Sequence, residues 1–487
     1  MATGETSLAY AVRFPVVAKY LGQLALVLAL LTLAPLTVSL LSGELDAARR
    51  YGLIVAALVV MALPAVRLRA AAHVQINEAL VIVALAFVLS PLLMSYPMMS
   101  AGLSFGDALF EAISGITTTG LTVLDRPEDA PPSLLFARAW MQWYGGLGIV
   151  VLSVALLLGH HMASRRLMEP VVGEAMVTTA RSYARHILFI YLILTAAGFA
   201  LLWLLLGDAM IAGLHILAGV STGGFSPYSN NLAGLDTWTT RFCVMMFALC
   251  GAVPLIAYYR LSQRGWRAIA ADVEVRALLV AVGLITLSLA VIMQLQADAD
   301  RTETLLHAIL LGISAQTGTG FSSLAVGELG DASKLVLIFS MFVGGGVGST
   351  TGGIKLLRLL ILLRLMQLTL RRTALSEHAV MRTKLGGRTL ENEDLERALL
   401  LILLFAGTIA VSWLIFVAYG YPPLDALFEV VSATATVGLS TGITGSDLHA
   451  VLKAVLCIDM LLGRLEIIAL LVVLYPHTWF GRRAEVK

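Results

Sequence analysis

The chain has 487 residues, of which 59% are hydrophobic and 13% are charged, and its formal net charge is +2. A soluble domain is about half apolar and about one quarter charged, so this composition excludes an ordinary globular protein. The small net charge also argues against nucleic-acid binding, which requires a basic surface. The composition predicts an all-α protein that crosses a lipid bilayer many times.

Apolar runs separated by charged residues recur along the chain. A spanning helix needs about 20 apolar residues, and roughly ten runs are read as spanning segments. They lie at 20–41, 51–66, 79–99, 139–159, 187–207, 242–259, 277–297, 335–370, 398–420 and 454–475. No cleavage pattern of small residues follows the first run, so we expect it to be retained as a helix.

Shorter apolar stretches, too short to span, lie between alternate pairs of these runs. They cover 107–116, 208–220, 302–313 and 425–432, and each leads into a stretch rich in Gly, Thr and Ser. This order is typical of re-entrant half-helices followed by loops. Asp107, Asp208 and Asp425 are predicted to cap the N-termini of three half-helices.

Four segments align on one glycine, and we call them the glycine loops. They are 114–122 (SGITTTGLT), 218–226 (AGVSTGGFS), 314–322 (SAQTGTGFS) and 432–440 (SATATVGLS). Non-helical backbone at membrane depth persists only where it lines a polar cavity, and a ring of carbonyl oxygens can replace the hydration shell of an alkali cation. Close helix packing is an alternative for one such segment, but four copies favour a cation pore.

A string of glycines interrupts the long run at 335–370. Residues 344–353 (GGGVGSTTGG), which we call the broken-helix loop, should split this helix because each glycine costs about 1 kcal/mol in a helix. The last run contains Arg464 and Glu466, and such charges are costly in a membrane unless they face a cavity or a partner. Glu111 and Glu429 occupy equivalent half-helix positions and are expected to hold the glycine loops by hydrogen bonds.

These features resemble the TrkH/KtrB/HKT superfamily of potassium transporters from about residue 79 onward, and the two leading helices are similar to its TrkH branch. The resemblance implies four pseudo-symmetric membrane-pore-membrane repeats, similar to those of K⁺ channels, after two extra transmembrane helices. The implied units are 1–75 for the extra helices and 76–162, 163–265, 266–375 and 376–487 for the pore repeats.

The resemblance also implies which residues bind K⁺. The expected selectivity filter consists of Thr118, Thr119, Gly120, Thr222, Gly223, Gly224, Gly318, Thr319, Gly320, Thr436, Val437 and Gly438. Some plant members that favour Na⁺ carry serine at the position of Gly120, so glycine there implies K⁺ selectivity. The expected gate consists of Gly344, Gly345, Gly346, Gly348, Gly352, Gly353, Lys355 and Arg464.

The predicted function is potassium uptake through a channel-like pore, driven by the membrane potential and blocked by Arg464 and the broken-helix loop until the loop moves. A symporter that couples K⁺ to H⁺ or Na⁺ is the alternative, with Asp459 or Glu466 as the candidate relay. An enzyme is not expected, because no nucleophile, base or metal set can be assembled.

Location and partners follow from charge and from the resemblance. Basic residues cluster in alternate loops and near the C-terminus, which predicts that those loops and both termini are cytoplasmic. The resemblance implies an inner-membrane homodimer and a cytoplasmic TrkA-like partner that binds ATP, ADP or NADH. The chain itself is expected to carry no cofactor and to have K⁺ as its transported ion.

Overall fold

The computed structural model describes residues 11–69, 74–165, 174–296, 300–373, 384–385, 388–389 and 392–480. Within these ranges the chain is almost entirely helical, as expected from its apolar runs. One short hairpin pairs β1 (Lys384–Leu385) antiparallel with β2 (Arg388–Thr389). The predicted cytoplasmic termini lie outside the described residues.

Two leading helices, α1 (Phe14–Leu41) and α2 (Leu45–Val66), precede four groups of helices. The first group comprises α3 (Ile76–Met98), α4 (Phe105–Ile116) and α5 (Pro132–Arg165). The second comprises α6 (Glu174–Leu206), α7 (Ala209–Val220), α8 (Trp238–Ala252), α9 (Leu255–Arg264) and α10 (Trp266–Ala270). The third comprises α11 (Val273–Gln296), α12 (Arg301–Thr317), α13 (Asp331–Phe342) and α14 (Leu356–Arg372). The fourth comprises α15 (Asn392–Ala418), α16 (Pro423–Thr434), α17 (Ala450–Arg464), α18 (Ile468–Leu474) and α19 (Pro476–Trp479).

Six of the ten predicted spans are single helices long and apolar enough to cross a bilayer within the described residues, namely α1, α2, α3, α6, α11 and α15. The predicted span 242–259 is instead a pair, α8 and α9, bent by 84°. Pro254 lies at this bend, where it cannot donate a helical hydrogen bond. The span predicted at 454–475 is also interrupted, because α17 ends at Arg464 and α18 begins at Ile468.

The apolar surface is distributed as expected for a protein surrounded by lipid. Leu204 on α6 and Leu295 on α11 expose 82% and 81% of their surface. In contrast, the half-helices α4, α7, α12 and α16 lie in the interior, where Phe110 and Phe428 are fully buried. The half-helices are therefore enclosed by the longer helices, as re-entrant elements must be.

The predicted half-helix caps are only partly correct. Asp208 caps α7 by accepting a hydrogen bond from the backbone N–H of Ile211. For α4 the cap is Ser104, whose hydroxyl accepts from the N–H of Asp107, so Asp107 lies in the first turn. Asp425 also lies in the first turn of its helix, α16, which begins after Pro422 without a side-chain cap. In both helices the aspartate is instead available to pair with a lysine.

Candidate functional site

The four glycine loops follow the same backbone path. Their glycines, Gly120, Gly224, Gly320 and Gly438, have φ angles of 89°, 77°, 77° and 93°. The residues two positions earlier are also left-handed, and they are Thr118 (55°), Thr222 (53°), Gly318 (63°) and Thr436 (51°). A non-glycine residue in this region costs about 1 to 3 kcal/mol, so the surrounding structure must hold the threonines there.

The loops form a closed succession around a common centre. A Cβ atom on Gly120 would come closer than 3.0 Å to the carbonyl oxygen of Gly223. The same holds for Gly224 with Thr319, for Gly320 with Val437, and for Gly438 with Thr119. Each glycine thus contacts the carbonyl of the next repeat, and the fourth returns to the first. We call the carbonyl oxygens of Thr119, Gly223, Thr319 and Val437 the carbonyl ring.

Each loop is tied to the end of its own half-helix by one repeated backbone hydrogen bond. The residue before the loop glycine donates its N–H to the carbonyl five residues earlier, at distances of 2.7 to 2.9 Å. The four pairs are Thr119 with Ser114, Gly223 with Ala218, Thr319 with Ser314, and Val437 with Ser432. The turn from helix to loop is therefore the same in all four repeats.

Glu111 and Glu429 hold the glycine loops, as the sequence predicts. Glu111 accepts hydrogen bonds from the Thr122 hydroxyl and the Val123 N–H, both at 2.6 Å, and pairs with Arg138 at 2.7 Å. Glu429 accepts from the Ser440 hydroxyl at 2.6 Å. Both carboxylates therefore accept hydrogen bonds from the residues that follow their own loop glycines, which is the role of holding these loops.

The broken-helix loop lies against the ends of two half-helices. The gap between α13 and α14 covers residues 343–355, and Val343 and Ile354 form a parallel β-bridge at its base. The Thr350 hydroxyl lies 3.3 Å from the carbonyl oxygen of Val220, the last residue of α7. A Cβ atom on Gly352 would come closer than 3.0 Å to the Ala435 carbonyl and the Thr436 hydroxyl, just after α16. The loop is therefore packed against the ends of α7 and α16, from which two of the glycine loops begin.

Arg464 connects the last long helix to this loop. It is 2% exposed, and its Nη1 donates to the Thr350 carbonyl at 2.8 Å. Its Nε and Nη2 atoms have no hydrogen-bond partner in the described structure. A guanidinium with two unpaired nitrogens is costly to bury, so it must be held in place by the fold around it.

Glu466 lies outside the helix that the sequence predicts for it. It has a positive φ of 53° in the break between α17 and α18, and its carboxylate pairs with Arg358 of α14 at 2.5 Å. The ion-pair partner of Glu466 is therefore Arg358, on a neighbouring helix. The ion pair attaches the break in the last helix to the helix that follows the broken-helix loop.

Two further side chains hold the loop. Lys355 donates its Nζ proton to the Thr351 carbonyl at 2.5 Å and is 5% exposed. Glu274, at the start of α11, accepts from the Val347 N–H at 2.6 Å. The sequence gives no signal for this role of Glu274. Glu274 lies in a charged segment at the start of α11, 73 residues before Val347.

A second series of glycines supports the half-helices. A Cβ atom on Gly145, Gly251 or Gly463 would come closer than 3.0 Å to the carbonyl of the last residue of the half-helix in the same repeat. Gly344 occupies the same place in the third repeat, but its contact is the Gly352 carbonyl of the broken-helix loop. These glycines follow the loop glycines by 24 to 27 residues, a spacing that could have identified them in the sequence.

The comparisons with known proteins agree with this architecture. A family model described as TrkH, cation transport protein, matches residues 49–477. The Trk system potassium uptake protein TrkH of Escherichia coli K12 is 30% identical over 78% of this chain and 80% of its own. TrkI of Halomonas elongata, also named a Trk system potassium uptake protein, is 29% identical over 96% of this chain and 97% of its own.

A solved structure confirms the fold. The crystal structure of the potassium transporter TrkH from Vibrio parahaemolyticus has a TM-score of 0.85 and 26% identity, covering 96% of this chain and all of that chain. The predicted all-α polytopic fold and the predicted family are thus both confirmed. The chain belongs to the TrkH family of cation transport proteins and is a transport protein rather than an enzyme.

Proposed function

We propose that this chain takes up K⁺ across the cytoplasmic membrane through the carbonyl ring, and that the membrane potential drives the ion inward. The observation that carries this proposal is the closed succession in which each loop glycine contacts the carbonyl of the next repeat. Relatives named as potassium uptake proteins support K⁺ as the cargo.

The chemistry of the ring suits a dehydrated alkali cation. Carbonyl oxygens on four sides can replace the water that the ion loses. The C-terminal ends of the four half-helices add a partial negative charge of about half a unit each. The hydroxyls of Thr118 and Thr436 are buried without a hydrogen-bond partner among the described residues. Buried hydroxyls need a partner, and an ion or its water in the ring would supply one.

The direction of transport follows from charge. Arg260 on α9, Arg267 on α10 and Arg371 at the end of α14 lie in segments that are expected to face the cytoplasm. This orientation places the N-termini of the half-helices on the outer side. A potential of 100 mV then contributes about 2.3 kcal/mol to the entry of each K⁺, so accumulation needs no chemical step.

The gate consists of Arg464 and the broken-helix loop. The guanidinium places a positive charge beside the loop, and its bond to Thr350 holds the loop against α7 and α16. K⁺ is repelled by this charge while the loop is in place. Movement of the loop would break the hydrogen bond and open the path.

The decisive experiment exchanges the first loop glycine. Gly120→Ser adds a side chain that collides with the Gly223 carbonyl, so K⁺ over Na⁺ discrimination should fall. We would measure uptake of radiolabelled Rb⁺ into proteoliposomes with Na⁺ as the competitor. Gly407→Ser in α15, where a Cβ meets no atom within 4 Å, is the matched control. Unchanged discrimination in Gly120→Ser would remove the carbonyl ring as the filter.

Symport with H⁺ or Na⁺ is the second candidate, and Asp459 favours it. Asp459 is 1% exposed in α17, one carboxylate oxygen accepts from Ser412 at 2.8 Å, and the other has no partner in the described structure. Glu466 is a weaker candidate because Arg358 already neutralises it. Reversal potentials under separate K⁺, Na⁺ and pH gradients separate the two: a shift with pH at fixed stoichiometry favours the symporter.

The remaining features rest on the resemblance to the superfamily. They are the inner-membrane location, the repeat boundaries at 76–162, 163–265, 266–375 and 376–487, the homodimer and the nucleotide-binding cytoplasmic partner. Cross-linking in native membranes would test the dimer. Regulation by ATP, ADP or NADH would then act through the partner on the broken-helix loop.

A further inference from the structure

Gln142 holds one glycine loop from both sides. It lies on α5 of the first repeat and is fully buried. Its Nε2 donates to the carbonyl of Gly223 at 2.6 Å, and its Oε1 accepts from the N–H of Phe225 at 3.1 Å. The side chain thus brackets Gly224, the loop glycine of the second repeat.

This arrangement breaks the fourfold symmetry of the carbonyl ring. Glutamine is found in only one of the four repeats at the position ten residues after the start of the second helix, where the residues are Gln142, Ala248, Met341 and Met460. Neither alanine nor methionine can donate a hydrogen bond. Within the described residues no side chain donates to the carbonyls of Thr119, Thr319 or Val437. Of the four ring carbonyls, only that of Gly223 accepts a hydrogen bond from a side chain among the described residues.

Gly223 is fitted to Gln142. A Cβ atom at 223 would come closer than 3.0 Å to the amide carbon, oxygen and nitrogen of Gln142. The other three loops carry Thr119, Thr319 and Val437 at this position, where side chains are accommodated. The glutamine and the missing side chain occur together because the amide occupies the space a side chain would need.

We propose that Gln142 is a positioning residue that sets cation discrimination by fixing the orientation of the Gly223 carbonyl. This inference rests on the proposed function of the carbonyl ring. A carbonyl that accepts a short hydrogen bond cannot rotate freely or move toward a smaller ion. Without Gln142 the second loop could close around Na⁺, and discrimination would fall while ions still pass.

The test compares Gln142→Met with Met460→Leu. Methionine occupies the equivalent position in two other repeats, so the first substitution preserves volume and removes only the hydrogen bonds. Rb⁺ uptake in proteoliposomes with competing Na⁺ should show an approximately three- to tenfold loss of discrimination in Gln142→Met, the effect expected from losing the hydrogen bond to the Gly223 carbonyl. Met460→Leu should keep wild-type discrimination. A lower yield of folded protein with an unchanged Rb⁺ to Na⁺ ratio would overturn the proposal.

A second variant tests the pH dependence of discrimination, which a purely structural role of Gln142 would not affect. Gln142→Glu keeps the acceptor for Phe225, but its carboxyl can donate to the Gly223 carbonyl only when protonated. Discrimination that improves at acid pH in this variant, relative to wild type, supports the proposal. Discrimination as poor as in Gln142→Met at every pH contradicts it. If wild type itself fails to discriminate, the proposed function has failed instead.

Discussion

Arg464 is a buried cation that donates one hydrogen bond, to the Thr350 carbonyl. Substitutions can therefore test the effect of its charge separately from the effect of this hydrogen bond. Arg464→Gln removes the charge but retains an amide donor that can serve Thr350, whereas Arg464→Ala removes both. We expect Rb⁺ leak through the isolated protein to rise about tenfold or more in Arg464→Ala, since a barrier change of about 1.4 kcal/mol suffices. Arg464→Gln should be intermediate. Equal flux in wild-type and Arg464→Ala liposomes would exclude this arginine from the gate.

At the residue scale, the sequence predicts glycines better than it predicts their neighbours. Gly120 and its three counterparts align because only glycine tolerates both a positive φ and the adjacent carbonyl. Thr118 and Thr436 have equally unusual backbone angles, yet threonine ordinarily avoids them, so no propensity reveals them. The bond between Glu111 and Arg138 joins different helices, and pairing of this kind becomes visible only in three dimensions.

Gly463 of α17 lies directly against the end of α16. Helix propensity alone would make Gly463→Ala stabilising by about 1 kcal/mol. A Cβ there would collide with the Thr434 carbonyl, which is backbone and cannot move aside, so we expect net destabilisation by about 2 kcal/mol. Thermal unfolding in detergent would measure it. Gly407→Ala, with open space around the Cβ, should be neutral or stabilising, and an equal effect of both variants would contradict this packing.

The ion pair between Arg358 and Glu466 joins α14 to the break after α17. Either charge reversal alone, Arg358→Glu or Glu466→Arg, should break this ion pair and release the broken-helix loop. We expect Rb⁺ leak to rise about tenfold, because a hydrogen bond between charged groups contributes about that much. The double reversal should restore low leak, because the pair forms again in the opposite sense. If the increase in leak in the double variant equals the combined increases of the two single variants, the pair does not couple the two helices.

At the element scale, the predictability of helix breaks depends on their cause. The glycines at 344–353 predict the break between α13 and α14 by propensity alone. Pro254 lies at the bend between α8 and α9, although the apolar run around it predicted a single continuous span at 242–259. The break at Glu466 and Ile467 contains neither glycine nor proline. Glu466 in this break pairs with Arg358, a contact between repeats that the local sequence does not reveal.

At the scale of the whole molecule, two ion pairs join successive repeats. Lys334, the fourth residue of α13, pairs with Asp425 in the first turn of α16 at 2.8 Å. Lys453, the fourth residue of α17, pairs with Asp107 in the first turn of α4 at 2.5 Å. The second pair joins the last repeat to the first, so it closes the ring of half-helices as the Gly438 contact closes the ring of carbonyls.

The pair between Lys453 and Asp107 predicts a pH-dependent stability. Burial raises the pKa of Asp107, but hydrogen bonds from Lys453 and Ser104 and the lysine charge outweigh burial, and the net pKa is lowered. The stabilisation is therefore complete above the unfolded pKa of about 3.9 and is lost as pH falls below it. Asp107→Asn should cost about 1 kcal/mol at neutral pH and abolish this acid-dependent loss.

Thermal unfolding of the detergent-solubilised protein at neutral pH and at about pH 4 and below would measure this effect. Asp129→Asn is the matched control, because its carboxylate is exposed and its contact with Arg126 is long, at 3.4 Å. The control should match wild type at neutral pH. Asp107→Asn should be less stable than wild type there and approach it in acid, where the wild-type carboxylate is protonated. Equal stability of Asp107→Asn and wild type at neutral pH would show that the contact between the fourth and first repeats does not stabilise the ring.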